Sequence, residues 1–250
     1  MLAAIALLIL ILSGVFSMLG LGGATVYNPV MVWFGYDFKT VVVPTGLLLN
    51  GLTAASASWT FWRAKLVDVG IALPLIIGTT IGAPAGAYVT GFLKSDWLLA
   101  VFSVFVVVAG LRMILIAGQA EPEALRGTAK QRAAIGAGIG LGIGFISGLL
   151  GVGGGILIVP LLILMGYPTK LAAATSAFAV VFSSASGFAG HAANGNYNIP
   201  LMMVTAVAVV IGSQIGARLM VGAMKPRWIR QGFGILLLAI AATLAWGLLT

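Results

Sequence analysis

Two short glycine runs hold the residues best suited to bind a ligand in this sequence. Gly22 and Gly23 form the first run, and Gly153, Gly154 and Gly155 form the second. Both precede apolar stretches that we expect to be helical, and glycine lets backbone N–H groups approach a ligand closely. A helix N-terminus offers unpaired donors and the positive end of the helix dipole, which favour an anion. The runs therefore predict an anion-binding site, although glycines that only permit close helix packing would give the same pattern.

Hydroxyl and amide side chains close to these runs are further candidates for substrate contacts. Hydroxyls near the start of a helix can cap it or donate to an anion. Amides deep in apolar runs need hydrogen-bond partners, which can be a neighbouring helix or a substrate. These two chemistries are available at Thr25, Asn28, Thr45, Asn50, Thr175 and Ser176.

The ionisable residues indicate transport rather than catalysis. His191 is the single histidine, and we consider it either a solvated residue near the membrane interface or a proton relay. All five acidic residues fall between the apolar segments, whereas a sodium- or proton-coupled carrier usually keeps a carboxylate within the membrane. No nucleophile lies beside a base, and cysteine is absent. We therefore expect no enzyme activity, no metal site and no cofactor.

The glycine runs belong to a longer internal repeat. The stretch from Gly20 to Pro29 returns as Gly151 to Pro160, an offset of 131 positions. The echo continues with Gly35-Tyr36 and Gly166-Tyr167, and after a one-residue slip with Gly82, Gly86, Gly212 and Gly216. Duplicated apolar units of this kind are typical of transporters that bind their substrate where the repeats meet. We predict two repeats, 1–118 and 133–250, joined by a polar cytoplasmic linker, 119–132.

The composition predicts an all-α protein that crosses a membrane several times. The chain is 61% hydrophobic and 7% charged, whereas about a quarter of the residues in a soluble domain are charged. The net charge of +8 comes from basic residues in short loops, which indicate membrane topology rather than nucleic-acid binding. Because so few residues are charged, lipid must cover most of the surface. We expect apolar segments at 2–34, 41–61, 69–91, 97–117, 133–165, 172–192, 199–221 and 228–249.

The basic residues distinguish two topologies. If all eight segments crossed once, the thirteen lysines and arginines would divide six to seven. If the two long segments, 2–34 and 133–165, instead fold back at their glycines, eleven share one side and only Lys39 and Lys94 lie on the other. The positive-inside rule favours the second arrangement. It predicts inverted repeats, each beginning with a broken segment, and extracytoplasmic termini.

The combined motifs resemble the sulfite exporter TauE/SafE family over nearly the whole chain. The resemblance rests on Gly151 to Pro160, Gly166-Tyr-Pro, Ala173-Ala-Thr-Ser176, Ser186 to His191 and Gly195 to Asn198. The first repeat departs from the pattern, because Ala24 replaces the third glycine and Phe61 stands where a histidine often occurs. The resemblance implies an inner-membrane permease for a small anion such as sulfite or an organosulfonate. The implied site elements are Gly22, Gly23, Gly153, Gly154, Thr45, Thr175 and Ser176.

Three other functions fit the sequence less well. An anion channel would share the composition but would show ungated flux. A membrane enzyme or assembly factor needs a buried ionisable constellation, and none is visible in the sequence. A membrane scaffold leaves the duplicated glycine breaks unexplained. We therefore expect a transporter that binds a small anion and the lipid bilayer, and the sequence leaves open whether it forms a homo-oligomer.

Overall fold

The fold consists of α-helices and one π-helical turn in the part of the chain that this computed structural model describes. The described residues are 1–90, 95–121, 128–150, 155–191 and 197–249. Ten helices lie in these ranges: α1 (Leu2–Met18), α2 (Ala24–Trp33), α3 (Val43–Arg63), α4 (Val69–Thr90), α5 (Ser95–Leu115), α6 (Ala129–Leu150), α7 (Gly155–Leu164), α8 (Thr169–His191), α9 (Ile199–Gly222) and α10 (Pro226–Leu249). The π-helical turn, Phe38–Val42, precedes α3.

The helices match the apolar segments expected from the sequence. Six of the eight segments became single helices whose ends lie within a few residues of the expected ones. The first long segment is broken as predicted, since α1 ends at Met18 and α2 begins at Ala24. Helix α6 begins at Ala129, so the last four residues of the expected linker are helical. Among the described residues, three stretches are long and apolar enough to cross a membrane: Thr40–Arg63, Thr169–Ala189 and Ile199–Gly222.

The chain divides into two compact units that both draw on distant parts of the sequence. The first unit contains Met1–Asp68 and Ala173–Ala223, and the second contains Val69–Ala172 and Met224–Thr250. The core of the first unit is built around fully buried Ile5, Ile9, Tyr27, Met31 and Leu49. On α1 the opposite face leaves Leu7 and Ile11 more than half exposed, as expected for a helix surrounded by lipid.

Helix directions in the first unit follow from pairs of contacting residues. A Cβ on Gly212 would overlap the Leu10 carbonyl, and one on Gly216 would overlap that of Gly14, so α1 and α9 run in the same direction. Ser56 forms a hydrogen bond with Val210, and Thr60 forms one with Gln214 four residues further along both helices. Helices α3 and α9 therefore also run in the same direction.

Helix α2 runs the opposite way. Its first residue, Ala24, bonds to Asn50, whereas Asn28 lies against Gly46, so α2 is antiparallel to α3. Because α1 runs in the same direction as α3, α1 and α2 are antiparallel to each other. The chain therefore reverses at Leu19–Gly23, and α1 and α2 form a helical hairpin.

The second unit shows the same kind of close helix packing. On α6, Cβ atoms added to Gly136, Gly140 and Gly144 would overlap the carbonyl oxygens of Ile71, Leu75 and Thr79 on α4. Each step of four residues on α6 matches a step of four on α4, so these two helices run in the same direction. Glycine at these positions lets the two backbones touch, which is how helices associate in lipid.

Helices α5 and α10 of the second unit run in opposite directions. Arg230 near the start of α10 bonds to the Ile116 carbonyl just after α5, whereas Leu238 lies further along α10 against Gly110. These helices are the fourth apolar segments of residues 1–118 and 133–250.

The sequence echo is matched in local structure at the two half-length helices, α2 and α7. Each has ten residues, and their starts lie 131 positions apart. Each is followed by a glycine in the left-handed region, Gly35 with φ 84° and Gly166 with φ 87°. The next N–H bonds back to the helix in both cases, from Tyr36 to the Met31 carbonyl and from Tyr167 to the Leu162 carbonyl. This is the αL helix ending that glycine favours.

Candidate functional site

The first glycine run lies at the turn between α1 and α2. Gly23 is the N-cap residue of α2 and has φ 138°, a backbone conformation that side chains disfavour. Its carbonyl accepts hydrogen bonds from Val26 N and Tyr27 N, both at 2.9 Å. Because glycine has no side chain, the N-terminus of α2 needs an acceptor from another element.

Asn50 of α3 supplies that acceptor. Its Oδ1 accepts a hydrogen bond from Ala24 N at 2.9 Å, and its Nδ2 donates to Ser184 Oγ on α8 at 2.7 Å. The carboxamide therefore joins α2, α3 and α8. Asn50 is half-buried and Ser184 is buried, so this junction is largely shielded from solvent. The sequence left two roles open for Asn50, and these bonds give it a role in helix association.

The protein's own side chains pack against both glycines of this run. A Cβ on Gly22 would lie 1.8 Å from Asn50 Oδ1, and one on Gly23 would lie 2.4 Å from the Tyr27 ring. The Tyr27 hydroxyl is buried and lies 3.0 Å from Thr53 Oγ1. A side chain at Gly22 or Gly23 would therefore displace Asn50 or Tyr27, and the predicted contact of these glycines with a substrate stays a prediction.

The remaining candidates in the first half of the chain lie around the N-terminal part of α3. Asn28 is half-buried, and its buried Oδ1 has no hydrogen-bond partner and faces the backbone of Gly46. Thr45, next to Gly46, is 1% exposed. Thr25 is exposed on α2. The structure thus brings Asn28 against Gly46, the neighbour of Thr45, and leaves Thr25 exposed.

The two hydroxyls on α8 are buried. Thr175 is 1% exposed, and its Oγ1 accepts a hydrogen bond from Asp68 N at 3.1 Å. This bond holds the residue that immediately precedes α4, so Thr175 has a structural partner. Ser176 is completely buried. Their proposed contact with a substrate is not tested by these bonds.

Several predicted site residues can be placed only in part. Gly153 and Gly154 lie outside the described residues, and Gly155 is the first residue of α7. His191 is the last residue of α8, where the sequence predicted the end of a segment, but its side chain lies outside the described part of the chain. Asn198, in the motif that follows, caps α9 by accepting a hydrogen bond from Leu201 N at 3.1 Å. Among the described residues, no group of three His, Cys, Asp or Glu side chains could hold a metal ion.

Four polar residues at these helix contacts were missed by sequence reasoning. Ser184, Thr53 and Tyr27 surround the first glycine run, and Gln214 of α9 bonds to Ser56 and Thr60 of α3. A signal did exist for two of them, because Thr53 and Ser184 lie 131 positions apart, which is the offset of the repeat. No such signal marks Gln214.

Comparison with known proteins identifies the family. The model of the sulfite exporter TauE/SafE family matches residues 5–244. The chain belongs to this family. It is 31% identical over 233 residues to the "Probable membrane transporter protein YunE" of Bacillus subtilis, with 84% of each chain covered. It is 26% identical over 239 residues to the "Probable membrane transporter protein y4hK" of Sinorhizobium fredii, with 92% of this chain and 93% of the relative covered.

A plant protein shares a shorter stretch. The "Sulfite exporter TauE/SafE family protein 3" of Arabidopsis thaliana is 32% identical over 84 residues, which are 32% of this chain and 18% of that protein. No solved structure matches the chain. The family and its relatives make this protein an integral membrane transporter, as the residue motifs implied.

Proposed function

We propose that this TauE/SafE family member moves a small anion across the inner membrane by alternating access. The substrate class is a sulfur-containing oxoanion, such as sulfite or an organosulfonate. The observation that carries the proposal is the pair of half-length helices, α2 and α7, which begin 131 positions apart, α2 directly after Gly23 and α7 at Gly155. A ten-residue helix is about 15 Å long, roughly half the thickness of the hydrocarbon core. Such helices place their N-terminal donors within the membrane, where an anion has few other partners.

The helix directions support an inverted arrangement of the two repeats. In the first unit the chain folds back between α1 and α2, so the first segment adds no net crossing. In the second unit α5 and α10 are antiparallel. Three full crossings per repeat then give the two repeats opposite orientations, which is common among secondary transporters. In this arrangement eleven basic residues share one side, and we infer that this side is cytoplasmic and that both termini lie outside.

The Asn50 junction suggests how the first glycine run could take part in binding. Asn50 Oδ1 occupies the acceptor position at the N-terminus of α2, where an oxygen of the substrate would otherwise accept from Ala24 N. Rotation of the carboxamide would turn its NH₂ group towards an arriving oxoanion. The anion would then accept from Asn50, Ala24 N–H and the Ser184 hydroxyl. Charge-assisted hydrogen bonds of this kind are stronger than neutral ones, and no buried lysine is needed.

A liposome flux assay tests the proposal. Purified protein is reconstituted, and uptake of sulfite, sulfate, thiosulfate, organosulfonates and carboxylates is measured one at a time. We expect saturable uptake of one sulfur-containing class and stimulated exchange when the same anion is loaded inside. Uptake that never saturates and shows no exchange would indicate a channel. Uptake of carboxylates alone would contradict the proposed substrate class.

A further inference from the structure

The start of α8 is capped by a side chain that lies 48 residues earlier in the sequence. Pro168 precedes the helix, and its carbonyl accepts from Ala172 N at 2.9 Å, but its ring offers no acceptor for the other free N–H groups. Glu121 provides one. Its Oε2 accepts from Thr169 N and its Oε1 from Thr169 Oγ1, both at 2.7 Å, and the two residues lie 48 positions apart. Glu121 therefore acts as the N-cap that the local sequence lacks.

Arg230 holds this carboxylate in place. Arg230 is 3% exposed, and its guanidinium forms an ion pair with Glu121. Its Nε donates to Thr169 Oγ1 at 2.8 Å, and its Nη1 donates to the carbonyls of Ile116 and Gln119 at 2.7 and 3.0 Å. A buried guanidinium needs this many acceptors. The network fixes the residue at which α8 begins.

The position of that first residue determines where the α8 hydroxyls lie. Thr169–His191 is one continuous helix, so Ser176 lies seven residues, or about two turns, beyond Thr169 on the same face. Thr175 and Ser176 are almost fully buried, which leaves them little freedom to adjust independently. A rotation or shift at Thr169 is therefore passed along the helix to both hydroxyls.

We propose that Glu121 and Arg230 are positioning residues for the substrate-binding hydroxyls of Thr175 and Ser176. The pair contacts no substrate and acts through the first turn of α8. This inference rests on the proposed function and on the substrate contact that the sequence predicts for those two hydroxyls. It predicts that loss of the pair weakens substrate affinity more than it lowers the maximal transport rate.

The chain contains no cysteine, so a single reporter cysteine can follow the position of α8. Ala174→Cys suits this purpose because Ala174 is completely buried beside Thr175. In that background Glu121→Gln keeps the size of the side chain and removes its charge. The matched control is Asp37→Ala, which removes a carboxylate cap elsewhere in the chain. The two measurements are the rate of thiol labelling and the KM and maximal rate of radiolabelled sulfite uptake into liposomes.

We expect Glu121→Gln to label about tenfold faster than its parent, which corresponds to a change of ~1.4 kcal/mol in the opening equilibrium. The KM for sulfite should rise by a similar factor while the maximal rate changes less. Glu121→Asp retains the charge, so its labelling rate and KM should lie between those of Glu121→Gln and the parent. It replaces Glu121→Gln in the test if that variant does not insert into the membrane. The control should match its parent in labelling rate.

The outcomes separate this inference from the proposed function. An unchanged labelling rate in both Glu121 variants would overturn the positioning role, whatever happens to transport. Faster labelling with an unaltered KM would also overturn it, because the pair would then be a structural cap alone. If the parent transports no sulfite, the proposed substrate fails, while the labelling rates still decide whether the pair positions α8.

Discussion

The two half-length helices end alike, but the helical segments that follow them begin differently. After α2, Asp37 caps its own turn, and its Oδ1 accepts from Thr40 N at 2.8 Å and from Thr40 Oγ1 at 2.6 Å. Proline occupies the corresponding position after α7, 131 residues later. There the capping carboxylate is that of Glu121, held by Arg230.

The difference shows that the same local fold can be stabilised by near or by distant residues. The first start depends on residues three positions apart and is exposed. The second depends on residues 48 and 61 positions from Thr169 and is largely buried. Removing a local exposed cap should therefore have a small, confined effect. Removing a member of the distant network should disturb every segment that it joins.

The largest effect is expected for Arg230→Met. The substitution removes the guanidinium from the Glu121 carboxylate and from the carbonyls of Ile116 and Gln119. Breaking a buried ion pair in this way costs about 3 kcal/mol. We expect that loss in the free energy of unfolding, measured by denaturing-detergent titration of purified protein. The double variant Arg230→Met with Glu121→Gln should recover part of it, because no unpaired carboxylate remains. Equal stability of Arg230→Met and the parent would show that the network contributes nothing.

A smaller effect is expected at the first glycine run. Gly22→Ala places a Cβ where the three nearest atoms all belong to Asn50, so the carboxamide must leave Ala24 N and Ser184. Overpacking of this kind costs about 2 kcal/mol. We expect reduced thermal stability and slower sulfite uptake in liposomes.

The double variant Gly22→Ala with Asn50→Ala distinguishes packing from binding. Truncation of Asn50 removes the atoms that the new Cβ meets, so stability should return to that of Asn50→Ala alone. If uptake returns to that level as well, Gly22 serves packing only. Restored stability without restored uptake would instead support close approach of the substrate to the Gly22 backbone.

The two helix endings offer a matched pair of weaker perturbations. Gly35 and Gly166 have nearly the same positive φ, and a Cβ on either would meet nothing within 4 Å. Alanine at either position therefore costs only backbone strain, about 1 kcal/mol. Gly35→Ala and Gly166→Ala should lower the melting temperature equally in separate thermal unfolding experiments. Unequal shifts would show that the two endings are stabilised differently.

The sequence predicted the elements better than their partners. The apolar segments and the break before α2 follow from composition and from Gly22 and Gly23, which are local signals. The Glu121–Arg230 contact joins residues 109 positions apart, and no periodicity marks it. From the sequence, Arg230 is only one of the basic residues that indicate topology, because a single sequence does not show which charges become buried. Asn50 was recognised as an amide that needs partners, but its bonds to Ala24 and Ser184 depend on packing.

The smallest effect is expected for Asp37→Ala, which removes the local cap in the N-terminal half. The lost hydrogen bonds are exposed to solvent, so water replaces them in part, and the cost should be about 0.5 kcal/mol. The expected result is a melting temperature close to that of the parent and an unchanged KM for sulfite. The melting temperature of Asp37→Asn should be even closer to that of the parent, since asparagine is also a good N-cap residue. A loss as large as that of Arg230→Met would mean that the first helical start also depends on contacts beyond its own cap, and the contrast between the two starts would fail.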